Sequence, residues 1–313
     1  MIVLHGLNGF PEKFLGSALA IGKFDGLHRG HALILERLCE HAQLHGMSSV
    51  AFTFDPPPIR IIKPEAAPPL LTTLEQKIKL IAEFGVDCLV VYPTTREFLN
   101  WSARFFFDEI IQKKIMAKLV IEGQNFAFGH NREGTPDILD QFCRETNILF
   151  EAIPPVLWNN QEISSSAIRT ALLQGNLATA NEMLNRPYKI TGDVVHGENR
   201  GHTLGFPTAN LSDVKTVVPK SGIYAAMAMV DEKIHAAAVH IGDNPTFGET
   251  PQKIEVFLLD FYGDLYGKRM DVYFLERLRD IVAFPSVKLL VEQLERDVAK
   301  TRQITESYQN NNL

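Results

Sequence analysis

The texture of the chain changes at Arg186-Pro187, and that change constrains the fold more than any other feature. Before it, short apolar runs alternate with segments whose apolar residues recur at helical spacing. The strand-like runs fall at 17–22, 48–54, 88–92, 119–122 and 148–153. Helix-like segments fall at 30–45, 74–84, 98–115 and 137–146, with two short ones in succession at 164–173 and 177–184. Strands alternating with helices build βαβ units, so this part predicts a parallel sheet with helices on both faces. After the change, strand-like runs at 190–195, 222–230, 235–241, 253–259 and 270–274 are separated by Gly, Asn, Asp and Pro. That spacing predicts an antiparallel barrel or sandwich. A terminal helix is expected at 286–300, with Ser286 as its N-cap and Leu289, Leu290, Leu294 and Val298 on one side. The expected domains are therefore 1–185 and 186–313, which suits a length of 313 residues when one domain takes roughly 100–200.

Composition narrows the class of partner. Apolar residues make up 45% and charged residues 22% of the chain, enough for two cores. The formal net charge of −6 and pI near 5.9 lack the basic footprint of nucleic-acid or membrane-surface binding. No apolar stretch approaches the ~20 residues of a membrane span. The N-terminal residues MIVLHGLNGFPEKFLG do not read as a signal peptide. Cys39, Cys88 and Cys143 have neither metal-ligand nor disulfide spacing and read as core residues in a reducing compartment. A cytoplasmic protein with small-molecule partners is expected; self-association is left open.

Two segments carry chemistry. In IGKFDGLHRGH (21–31), Gly22 and Gly26 permit a tight exit from a strand, and His28 and His31 straddle the expected start of a helix. Residues three apart share a helix face, and a helix N-terminus offers free N–H groups and a positive dipole end. Together they can form a site for a phosphate chain, with Gly22, Lys23, Phe24, Asp25 and Gly26 as its loop. Alone, two histidines at this spacing also occur on ordinary surfaces, and a zinc site would need a further ligand. At 163–169, ISSSAIR offers serine hydroxyls at a helix start and a guanidinium fork at Arg169, both suited to phosphate. A plain serine cap followed by a surface arginine fits equally well. In GQNFAFGHNREG (123–134), Asn125, Phe126 and Phe128 combine ring faces with one amide, a receptor for a flat apolar ring system. The same two rings also suit a core.

The second segment is GDVVHGENRGHTLGFPTANL (192–211). Thr208 and Asn210 are two apart, so on an extended chain they point to one side. A hydroxyl and an amide oxygen so placed can hold Mg²⁺ and orient phosphate oxygens. Gly197, Gly205 and Pro207 flank them, and no Walker loop is present. A carboxylate within reach of an alcohol acts as general base in phosphoryl transfer, and Glu255, in the apolar strand KIEVFLLDF, is the candidate. A solvent-facing residue on an alternating strand is the ordinary alternative.

GKFDGLHRGH resembles the HxGH signature of nucleotidyltransferases, in the form carried by bacterial bifunctional riboflavin kinase/FAD synthetases. FTFDPPP (52–58), GQNFAFGHNREG and ISSSAIR resemble that family's later motifs in order and distance. GFPTANL, GDNPTFG (242–248), LDFYGDLYG (259–267), Arg279 and Phe284 resemble its riboflavin kinase half. The resemblance implies a Rossmann-like α/β domain followed by a small antiparallel β-barrel with a C-terminal helix. It implies two reactions: riboflavin and ATP give FMN, then FMN and a second ATP give FAD and pyrophosphate. Catalytic roles are implied for Glu255, His28 and His31; phosphate binding for Ser164, Ser165 and Arg169; flavin contact for Asn125, Phe126, Phe128 and Arg279; and Mg²⁺ at Thr208 and Asn210. The chain departs from the pattern at four places. Pro57 stands where the family has His, Lys23 where it has Asn, Ile281 where it has Glu, and His202 where it has a basic residue after RG. The Pro57 departure defines the alternative, a riboflavin kinase whose first domain is impaired. An adenylyltransferase for another substrate and a non-enzymatic flavin sensor are further alternatives, disfavoured by the flavin-side loop and by Glu255.

Overall fold

The computed structural model describes residues 1–197, 204–242 and 253–312. Packing divides the chain into two compact units, Met1–Ser165 and Ser166–Leu313. The expectations placed on Gly201, His202 and residues 243–248 lie outside the described residues.

In the first unit, β1 (Ile2–His5), β2 (Ala18–Ile21), β3 (Ser49–Asp55), β4 (Cys88–Pro93), β5 (Leu119–Gly123) and β6 (Leu149–Ile153) form one parallel sheet. Its order is β1-β4-β3-β2-β5-β6. Both faces are covered, as a parallel sheet requires. Leu19 and Ile21 join one core with Val50, Phe52, Val90 and Val120, while Ala18 and Ala20 join another with Ala51, Leu89, Val91 and Ile121. The helix α1 (Arg29–Leu44) covers the second face through Leu35, Leu38 and Ala42. After the short α2 (Pro58–Ile62), α3 (Leu74–Ala82) adds Ile81 to the same face. Burial raises the thiols of Cys88 and Cys143 to about 12, so both act as inert core residues.

The helix expected over 98–115 is broken. α4 (Arg96–Leu99) ends, and α5 (Ala103–Phe106) restarts and runs into a wide-turn helix, Phe107–Lys114. The break has one local cause and one distant one. The Ser102 hydroxyl accepts the Phe105 N–H at 3.1 Å and caps α5, while the Trp101 carbonyl is taken by the His130 N–H at 2.8 Å. Phe106, Phe107, Ile110 and Ile111, with Leu139 and Cys143 of α6 (Pro136–Glu145), cover the first face. A small hairpin, β7 (Leu157–Trp158) and β8 (Gln161–Glu162), follows.

Strand order fixes where a ligand can enter. β3, β4 and β1 lie to one side of β2, and β5 and β6 to the other. The order reverses at β2, so a crevice opens beyond the carboxyl ends of β2 and β5. Residues 22–28 and 123–134 leave the sheet at those two ends.

The second unit holds α7 (Ser165–Gln174), α8 (Leu177–Leu184) and a closed antiparallel barrel. Its strands are β9 (Tyr188–Val195), β10 (Ala209–Ser212), β11 (Gly222–Val230), β12 (Lys233–Gly242), β13 (Lys253–Leu258) and β14 (Arg269–Arg279), in the order β10-β13-β12-β11-β14-β9. β9 pairs back to β10 and closes the ring. Inward residues such as Ile254, Val256, Val239 and Ile241 are buried. The last helix, α9 (Val287–Asn312), extends past the expected 300, and Ser286 accepts the Leu289 N–H at 3.3 Å as its cap.

The packing boundary at Ser165/Ser166 lies ahead of the boundary expected near 185. α7 and α8 bind the barrel: Asn181 donates to the Phe274 carbonyl at 2.9 Å and accepts the Tyr188 N–H at 2.8 Å, and the Leu172 carbonyl accepts the Lys220 N–H at 3.0 Å. Sequence texture marks where helices stop, whereas the packing partner changes one helix pair earlier.

Candidate active sites

At the end of β2 the chain turns sharply through Phe24, Gly26 and Leu27, all at positive φ. Gly22 is needed because a Cβ there would lie 2.9 Å from the Phe24 ring. Asp25 points inward: its Oδ1 accepts the Leu71 N–H at 3.0 Å and the Thr72 N–H at 3.1 Å. The Ser165 hydroxyl donates to the Asp25 carbonyl at 2.8 Å. Phe24, Asp25 and Ser165 are thus internal supports of the loop, a role that spacing alone does not distinguish from phosphate contact. His28 takes the N-cap position of α1, 7% exposed, and its ring stacks on His31 at 3.8 Å. The predicted shared face is real, and Gly30 makes room for it, since a Cβ there would meet the His28 ring at 3.2 Å. Lys23 is exposed, and its carbonyl accepts the Thr53 hydroxyl at 3.3 Å. Pro57 sits at the N-cap of α2. Ser164 is half-buried, and Arg169 lies on α7 in the second unit.

Beside this loop, at the end of β5, the Phe126 and Phe128 rings stack at 5.4 Å. Phe128 is buried in the core, whereas Phe126 is only partly buried. Exposed Asn125 donates to Glu162 at 2.6 Å. Two further ionisable groups occupy this end of the sheet and were not anticipated. Glu122, 2% exposed, accepts the Ile21 N–H at 2.5 Å where the β2–β5 ladder ends, and burial holds its carboxyl well above the usual carboxylate range. Lys77 of α3, 5% exposed, donates to the Thr53 hydroxyl at 3.4 Å. Burial lowers its pKa, and the charges of Asp25 and Asp55 oppose that shift. Within LEQKIKLIA, Lys77 has the look of a surface lysine; only the tertiary placement of α3 reveals it.

On the barrel, Asn210 of β10, Glu255 of β13 and His240 of β12 stand directly opposite one another across three strands. They point to the outer face, between the inward residues Ile254 and Val256 and beside Val239 and Ile241. Thr208 just precedes β10, two residues from Asn210, and Phe206 meets the Phe257 ring edge-on at 5.5 Å. Asn210 and Glu255 are therefore brought to one face, with Thr208 just ahead of β10. Gly197 is fitted to it: a Cβ there would lie 2.0 Å from the Asn210 amide nitrogen. Gly205 and Pro207 are exposed. Arg279, expected at the flavin, grips Asp297 of α9 through Nη2 at 2.6 Å and Nε at 3.1 Å. Ile281 lies against Gly242, where a Cβ would be 2.3 Å from its Cδ1.

Comparison with known proteins gives a consistent picture. A FAD synthetase family model matches residues 11–167 and a riboflavin kinase family model matches 184–305. A bifunctional riboflavin kinase/FMN adenylyltransferase from Escherichia coli (strain K12) is 34% identical over 301 residues, covering 96% of each chain. The protein of that name from Pseudomonas fluorescens is 34% identical, over 96% of this chain and 97% of that one. A crystal structure described as a macrolide-efflux protein from Streptococcus pneumoniae superposes with a TM-score of 0.85 at 30% identity, over 96% of this chain and 98% of that one. Among the described residues of this chain, no helix is long and apolar enough to cross a membrane.

Proposed function

We infer that two flavin-coenzyme reactions run on this polypeptide, because it belongs to the bifunctional riboflavin kinase/FMN adenylyltransferase family. The chain is a riboflavin kinase and an FMN adenylyltransferase. The observation that carries this is the pair of family matches, one per half, in a single chain that aligns almost end to end with bifunctional relatives. The same pair favours two activities over a lone kinase, despite Pro57.

In the kinase reaction, Glu255 takes the proton of the primary hydroxyl of riboflavin as that oxygen attacks the γ-phosphorus of ATP, and ADP leaves. Thr208 and Asn210, oxygen donors on one face, fit Mg²⁺, which neutralises phosphate charge when bound. Gly197, Gly205 and Pro207 shape the nucleotide-side loop. In the second reaction a phosphate oxygen of FMN attacks the α-phosphorus of ATP and pyrophosphate leaves. His28, His31 and the N-terminus of α1 offset the charge on the transferring group, with Lys23, Ser164 and Arg169 on the phosphate chain. Gly22, Phe24, Asp25, Gly26 and Ser165 hold the loop that presents them. Asn125 and Phe126 receive the flavin ring, backed by Phe128, and Arg279, held by Asp297 of α9, contacts the flavin on the kinase side. The working segments are 1–185 for adenylyl transfer and 186–313 for phosphorylation. A cytoplasmic enzyme, with small molecules rather than nucleic acid or membrane as partners, fits the charge and hydropathy; self-association is compatible with it.

The test is chromatography of products from purified protein. Riboflavin, ATP and Mg²⁺ should give FMN and FAD, and FMN with ATP should give FAD. No FAD from supplied FMN would leave only the kinase. Glu255→Ala should still bind riboflavin but form FMN about 10²–10⁴-fold more slowly.

A further inference from the structure

We propose that His240 is the positioning residue of the kinase base: its imidazole holds the Glu255 carboxylate in the orientation that accepts the hydroxyl proton. This rests on the reading of Glu255 as base. The two residues are register partners on β12 and β13, and His240 Nδ1 lies 3.1 Å from Glu255 Oε2. A carboxylate only accepts, so this contact fixes the tautomer with the proton on Nδ1.

The surroundings explain why the pair is precise. The side chains are 16% and 20% exposed, so little water competes for the bond. Along β12 the other outward residues near it are Ala236 and Ala238, which leave the imidazole as the one long polar side chain on that stretch. Its neighbour on the far side is Ile223 of β11, an apolar wall that offers the ring no second acceptor through its side chain. Glutamate has three rotatable side-chain torsions, and each bond its carboxylate accepts narrows the set it samples. A base must lie within hydrogen-bond reach of the proton it removes, so an orienting partner acts on the rate rather than on substrate affinity. The same strand row runs through Asn210, so one line of three strands fixes the base relative to the phosphate-side group. Nothing in KIHAAAVHIG marks His240 in advance; it is found only through the β12–β13 register.

The experiment compares full-length His240→Ala, His240→Asn, Glu255→Gln and the His240→Ala/Glu255→Gln double variant. FMN formation from riboflavin and FAD formation from FMN are assayed separately, with riboflavin binding as the check on barrel integrity. His240→Ala should lower kcat for FMN formation about 10–100-fold with KM for riboflavin and ATP within about twofold. His240→Asn, whose amide nitrogen falls near the place of Nδ1, should recover most of the loss. Adding His240→Ala to Glu255→Gln should cost nothing further. FMN formation by His240→Ala at the parent rate beside an impaired Glu255→Gln overturns this inference alone. A raised KM with unchanged kcat, or an undiminished cost in the double variant, does the same. Glu255→Gln at the parent rate overturns the base reading and this inference with it.

Discussion

Glu122 is a carboxyl group whose proton folding holds more tightly. Its folded pKa lies above its unfolded value, because burial penalises the charged form. Between those two values the unfolded chain loses a proton that the native state retains. Stability therefore falls as pH rises through that window, by up to ~1.4 kcal/mol per pH unit from this group. Glu122→Gln keeps an acceptor for the Ile21 N–H and removes the titration. Its unfolding free energy relative to the parent should rise as pH climbs above the usual carboxylate range. Both tryptophans, Trp101 and Trp158, lie in the first unit, so urea unfolding followed by their fluorescence reads this directly. Parallel pH curves would refute it. Residues like this mark the limit of sequence reading. His28 and His31 were legible because spacing three on a helix dictates a shared face. Glu122 in LVIEG and Lys77 in LEQKIKLIA were not, because their burial depends on which strand and helix lie alongside.

Elements tell a similar story. The parallel sheet was legible because Leu19 and Ile21 face one core and Ala18 and Ala20 the other, leaving an unbroken apolar run. The edge strand β1 was not, since its four residues are mostly exposed or half-buried and show no clear period. The broken helix at 96–114 escaped because the break depends on a bond from His130, some thirty residues away. β10 was read as a binding motif rather than a strand; it forms a strand, and the role proposed for Asn210 sits on it. That dual role makes Gly197 a sensitive point. A methyl group there would collide with the Asn210 amide, which must then move. Gly197→Ala should therefore weaken FMN formation at least tenfold and raise the Mg²⁺ concentration needed, while FAD formation from supplied FMN stays within about twofold. Unaltered kinase activity would show that Asn210 has no part in phosphate or metal handling.

At the scale of the molecule, each half contains its own core and its own strand network. His28→Ala should abolish most FAD formation yet leave riboflavin phosphorylation intact, so that FMN accumulates; a general acid–base or charge-stabilising group of this kind contributes about 10²–10⁴-fold. Equal loss of both reactions would contradict separate catalysis. The chain-wide division into α/β and all-β halves was legible, but the packing border was not, because α7 and α8 read as a continuation of the first pattern while their apolar faces serve the second.

Every strand of the barrel has a neighbour on each side, whereas the sheet of the first unit ends in β1 and β6 with unpaired backbone. Ile2 on one of these margins and Leu149 on the other are exposed. Under heat or mild acid, those two margins of the adenylyl-transferring half would template intermolecular strand addition. Clumping of a stressed preparation would then begin there, and silencing those two margins with lysine or proline would extend its shelf life without altering either chemical step.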